Sequence, residues 1–120
     1  MKLSGEGKLL RIFIGESDKI RHQSLIDAIV QSARSEGIAG STVIRGIEGY
    51  GANSRVIHSA KILRLSEDLP VVIEIVDTEE KILRFLPVAE QMIESSESGA
   101  LITLERVDVI RYSPGRTTSD

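Results

Sequence analysis

The sequence predicts an α+β fold: a ferredoxin-like βαββαβ sandwich in which a four-stranded antiparallel sheet carries two helices on one face. Three observations predict it. Two segments, KLLRIFIG at 8–15 and PVVIEIVD at 70–77, alternate apolar and polar residues with the period of a half-buried strand. Each is followed by apolar residues at helical spacing and then by another β-branched run, so the chain reads β-α-β twice. At 120 residues there is room for one core and not for two, which makes 1–120 a single domain.

Taken in order, residues 1–7 read as a loose tail and 8–15 as the first strand, with Leu10, Ile12 and Ile14 on one face. A polar loop, 16–22, leads to a helix start near Gln23 or Ser24, and His22 reads as a surface residue there. Leu25, Ile26, Ile29, Val30 and Ala33 form the helix stripe, with Gly37 as its stop signal. The second strand is expected over 38–47 and the third over 70–77. Asp77 stands three before Glu80, the spacing of a helix-capping pair. The second helix stripe is Ile82, Phe85, Leu86, Ala89, Met92 and Ile93. Pro87 falls inside it, so the helix either kinks or divides into two pieces. The last strand is expected over 100–112, interrupted near Glu105 and Arg106, and 113–120 reads as a second loose tail. Apolar residues on both faces of the third strand, Val72 and Val76 as well as Val71, Ile73 and Ile75, imply that the helix-free face is covered. Another copy of the chain is the simplest cover.

Composition removes several functions. With no cysteine there is no disulfide framework and no thiol nucleophile, and two histidines do not make a metal-ligand set. No apolar run approaches the length of a membrane span and no signal peptide is visible, so a cytoplasmic protein without direct membrane insertion is expected. A pI near 5.4 and few aromatics argue against nucleic acid as a partner: an RNA-reading sheet needs stacking rings, and only Phe13 lies in a suitable strand.

The unusual chemistry is concentrated in VIRGIEGYGANSRVIH, residues 43–58. Gly46, Gly49 and Gly51 fall within six positions, which suits a bend where a group approaches the main chain and where bare N–H groups meet an anion. From Gly49 to Ser66 there is no Asp or Glu, while Arg55, Lys61 and Arg64 are present on a chain of net charge −3. A cationic loop on an acidic body points to a small anionic effector; a solvated loop with incidental cations is the plainer alternative. The connection 51–69 is longer than a hairpin needs, and connections of that length are commonly functional.

GSTVIRGIEGYG (40–51), RLSEDLPVVIEIVD (64–77) and the closing VIRY (109–112) resemble the corresponding stretches of PII signalling proteins and, more closely, the PII-like domain of unknown function 190 family. The resemblance runs from about Leu10 to Tyr112. It implies a homotrimer whose sheets face inward and whose inter-subunit clefts bind small effectors, usually adenine nucleotides. It further implies that the long loop reports ligand state to a partner such as a membrane transporter, with a fluoride channel suggested for the PII-like relatives. Carried over by position, Thr42, Gly49, Tyr50 and Gly51 would floor the cleft and Arg111 would contact phosphate. Arg55 has no strict counterpart but lies close enough in the chain to reach an anion. One departure bears on the ligand. Where PII proteins place a second glycine-rich loop with a lysine before the last strand, this chain has SSESGA (95–100), with a glutamate and no lysine.

Two other functions compete with a regulatory one. A non-ligand-binding structural oligomer needs nothing beyond the fold. A small enzyme would need convergent groups: Glu16, Asp18, Glu67 and Asp68 are acids at turns, where capping or solvated charge is the ordinary role, and His58 with Ser54 or Ser59 has no triad spacing. The sequence therefore points to a regulator and not to an enzyme.

Overall fold

A computed structural model describes residues 5–51, 58–59 and 68–115. Four strands and two helices carry the fold: β1 (Gly5–Gly15), α1 (Leu25–Ser35), β2 (Ser41–Arg45), β3 (Pro70–Asp77), α2 (Glu79–Ser96) and β4 (Leu101–Val109). The sheet order is β2-β3-β1-β4, and all three pairings are antiparallel. Both helices lie on one face, the ferredoxin-like arrangement expected from the two β-α-β units.

Alternation along the two central strands builds the core. Leu10, Ile12 and Ile14 of β1 and Val71, Ile73 and Ile75 of β3 face the helices and are buried, meeting Leu25, Ile29 and Ala33 of α1 and Ile82, Phe85, Ala89 and Ile93 of α2. Among the described residues no helix covers the opposite face. Register places Ile44, Val72, Phe13 and Leu101 side by side across the four strands, and Thr42, Glu74, Arg11 and Thr103 in the next row. Arg11 Nε donates to Glu74 at 2.9 Å, and its guanidinium also pairs with Glu105.

Several boundaries differ from the sequence expectation, each for a local reason. β1 begins at Gly5, because Gly5–Gly7 pair with Val107–Val109 where a loose tail was expected. β2 is confined to Ser41–Arg45, since Ile38 closes the end of α1 by donating its N–H to the Ala33 carbonyl. β4 runs unbroken through Glu105 and Arg106, both on an exposed strand where salt bridges to Arg11 and Glu6 hold them. The cap of α2 is Thr78, whose hydroxyl accepts from Lys81 N–H at 3.3 Å. Asp77 is fully buried and accepts from Ala39 N–H (2.9 Å) and Thr78 N–H (2.7 Å). α2 is one helix through Pro87, not two pieces. α1 starts as expected, with Ser24 Oγ accepting from Asp27 N–H, and ends before Gly37 at φ 82°.

The polar stretch before α1 contains a miniature hairpin. Lys19–Ile20 pair with Gln23–Ser24, and the turn between them places Arg21 (φ 51°) and His22 (φ 73°) in the left-handed region. His22 is exposed, as expected.

Candidate functional site

One end of the sheet gathers the C-terminal end of β1, the residues leading into β3 and β4, and the bend after β2. The connection after β2 returns at once to the sheet: Gly46 N–H donates to the Pro70 carbonyl at 2.7 Å, and Glu48–Gly49 pair with His58–Ser59. Glycine suits that approach. A Cβ on Gly46 would stand 3.1 Å from the Pro70 ring, and one on Gly49 (φ 155°) would stand 3.3 Å from it. Two of the three glycines therefore serve contact with Pro70, while Gly51 stands in open space.

Between these segments lies a cavity of about 450 Å³. Phe13 and Ile14, Leu69 and Pro70, and Ala100 and Leu101 give it apolar walls, and Gly49, Tyr50 and Gly51 close one side. That volume is in the range of small-molecule sites. Two carboxylates, Asp18 and Asp68, complete the lining. They are held by the turn that follows β1: Asp18 Oδ2 accepts from Gly15 N–H at 2.8 Å, Asp68 Oδ1 from Ser17 N–H at 3.2 Å, and Glu16 N–H donates to the Leu69 carbonyl at 2.8 Å. Burial pushes the Asp18 carboxyl above its ordinary value; the Gly15 N–H opposes that shift and the neighbouring Asp68 charge adds to it. At the same end Arg45 is engaged by Glu16 at 2.8 Å.

Of the residues singled out in the sequence, Gly49, Tyr50 and Gly51 come together at this cavity. Thr42 lies on the bare sheet face opposite Glu74, in the row beyond Val72. Arg111 follows β4, whose opposite end, Leu101, lines the cavity. Eight strand steps of about 3.3 Å put Val109 roughly 26 Å from Leu101, and Arg111, two residues past that far end, donates its Nε–H to Ser113 Oγ. Arg55, Lys61 and Arg64 lie outside the described residues. Reasoning from sequence passed over Phe13, Asp18 and Asp68 as site residues. Asp18 and Asp68 stand fifty positions apart, and only the pairing of β1 with β3, Gly15 opposite Pro70, brings them together. Among the described residues no three His, Asp or Glu side chains gather as metal ligands, and no helix is long and apolar enough to cross a membrane.

Sheet order and helix placement define a ferredoxin-like α+β fold, and it is the fold of PII-like proteins. The fold matches CPII, a nitrogen regulatory PII-like protein from Thiomonas intermedia K12 solved with ADP, AMP and bicarbonate bound, with a TM-score of 0.66 over 88% of this chain and 90% of that one. At 17% identity the likeness is one of fold. Residues 7–109 match the DUF190 family, described as an uncharacterized ACR, and the chain belongs to that family. It is 43% identical to a UPF0166 protein of Aquifex aeolicus (strain VF5) over 86% of this chain and 92% of the relative. It is 41% identical to a UPF0166 protein of Methanocaldococcus jannaschii over 76% of this chain and 82% of the relative.

Proposed function

We propose that the chain is a homotrimeric PII-like regulator that binds a small anionic effector, an adenine nucleotide, in the clefts between subunits. The observation that carries the reading is the cavity of about 450 Å³ at the root of the connection 51–69. A ligand there touches Gly49, Tyr50 and Gly51, and so biases the segment that follows them. The bare face with its exposed Phe13, Ile44 and Leu101 supports assembly, because a row of apolar side chains across a sheet is stable when covered. Thr42 and Arg111 are not among the described residues that line the cavity of their own chain, so in this reading a neighbouring copy supplies them. The connection 51–69, with Arg55, then presents ligand state to a partner, a membrane transporter or channel. CPII, of the same fold, was solved with ADP and AMP, which favours an adenine nucleotide over other anions.

Calorimetry on the full chain with AMP, ADP, ATP and cyclic dinucleotides tests the reading. Saturable binding of at least one at micromolar to millimolar concentration is expected, and Arg55→Ala or Arg111→Ala should weaken it about tenfold through loss of a charge-assisted contact. No binding of any of them at millimolar concentration would leave only a structural oligomer.

A further inference from the structure

Among the described residues, the lining of the cavity assigned to the effector has the wrong sign for a phosphate. Apart from the Tyr50 phenol, the ionisable groups that line it among the described residues are Asp18 and Asp68. The guanidinium of Arg45 at that end is already neutralised by Glu16. Each carboxylate commits one oxygen to the turn after β1, Asp18 Oδ2 to Gly15 N–H and Asp68 Oδ1 to Ser17 N–H. The second oxygen of each has no donor among the described residues. Neither is a buried orphan: each stays open to solvent beside the apolar walls of Phe13, Pro70 and Leu101, where it can accept from a donor on a ligand. Gly15 lets the two approach: a Cβ there would stand 2.8 Å from Asp68 Oδ1 and 3.3 Å from Asp18 Oδ1.

We infer that Asp18 and Asp68 select the hydrogen-bond-donating part of the effector, an exocyclic amine or a pair of ribose hydroxyls, and that its phosphates lie outside the cavity. The inference rests on the nucleotide reading above and adds which end of the molecule enters. Carboxylates repel a phosphate at short range and accept strongly from N–H and O–H groups, so the apolar, acidic cavity takes the nucleoside. The phosphates then face the mouth. An amine and a ribose diol are the same chemistry to a carboxylate, and analogues separate them.

The experiment is calorimetry of wild type, Asp18→Asn and Asp68→Asn with ADP, IDP and 2′,3′-dideoxy-ADP, with circular dichroism confirming each fold. Asparagine keeps an oxygen for the turn N–H and offers the cavity a donor in place of an acceptor. Wild type should bind one analogue about tenfold more weakly than ADP, the weakened one naming the group that is read. At least one variant should bind ADP about tenfold more weakly and lose that discrimination. Equal wild-type affinity for all three ligands overturns the inference while leaving nucleotide binding intact. Variants that bind ADP as tightly as wild type, or more tightly, overturn it in the same way, because removed carboxylates would then only have removed repulsion. A wild type that binds none of the three overturns the nucleotide reading itself and the inference with it.

Discussion

Asp77 is the buried charge among the described residues, and its two oxygens are both used: one holds Thr78 N–H at the start of α2, the other Ala39 N–H before β2. It thereby ties the end of β3 to the loop that follows α1. Removing the carboxylate strands two partly buried donors, at about 1–3 kcal/mol each. Asp77→Ala is expected to lower the unfolding free energy in urea by about 2–4 kcal/mol, and Asp77→Asn, which keeps one acceptor, by about half that. Asp18 is the opposite case. Burial raises its folded-state pKa, chiefly by desolvation, so the folded protein holds that proton more tightly than the unfolded chain does. The associated stability is fully present below the unfolded value of 3.8 and is lost as pH rises through the raised folded value. Asp18→Asn should therefore leave the urea midpoint equal or higher at neutral pH, with the gain vanishing as the pH falls below the carboxylate range. A midpoint that drops at neutral pH would mean that the Asp18 charge stabilises the turn more than its burial costs. These two aspartates also mark what a sequence reader misses: a carboxylate in a D-x-x-E pattern reads as a cap, and one in an S-D turn reads as solvated. Burial and cavity lining come from strand pairing across fifty or more residues, which no local pattern encodes.

Elements were legible where a single period dominates. The alternation in β1 and β3 and the stripe of α1, capped by Ser24 and stopped at Gly37, follow from side-chain spacing and cap chemistry alone. Edges were less legible, because among the described residues β2 and β4 have one hydrogen-bonded neighbour each and their lengths are set by that neighbour's register. Pro87 posed the sharpest local conflict. Its ring removes the N–H that would bond the Leu83 carbonyl, yet α2 continues for nine residues beyond it, anchored by Ala89 and Ile93 in the core. Burial of that stripe thus outweighs an interior proline, whose cost is about 3 kcal/mol in an unsupported helix. Pro87 and Leu83 are both exposed, so water can satisfy the carbonyl and the local cost is smaller. Pro87→Ala should raise stability by about 1–2 kcal/mol in urea denaturation, without changing the helical circular dichroism by more than the restored bond. No gain would mean that the helix is bent there for a packing reason.

At the scale of the whole molecule, the distribution of apolar surface is lopsided. One face of the sheet is sealed by α1 and α2, whereas the other presents Ile44, Val72, Phe13 and Leu101 in a row, and beside them the ionic row centred on Arg11 with Glu74 and Glu105. An apolar row flanked by satisfied charges suits the proposed interface between copies: the first would supply burial and the second would fix register. The proposed trimer therefore predicts that assembly depends on the row and not on the helices. Ile44 is the residue to change, since its side chain is 45% exposed and contributes nothing to the sealed core. Ile44→Glu would bury an unpaired carboxylate in any assembly built on this face, at a cost of about 3 kcal/mol or more, enough to weaken association roughly a hundredfold. Light scattering should give wild type a mass three times the 13.1 kDa of one chain and the variant the mass of one chain at micromolar concentration, with the same circular dichroism. An unchanged mass in the variant would move the interface off this face. A single-chain mass in the wild type would remove the cleft between copies, and with it the route by which Thr42 and Arg111 reach an effector seated at Gly49 to Gly51.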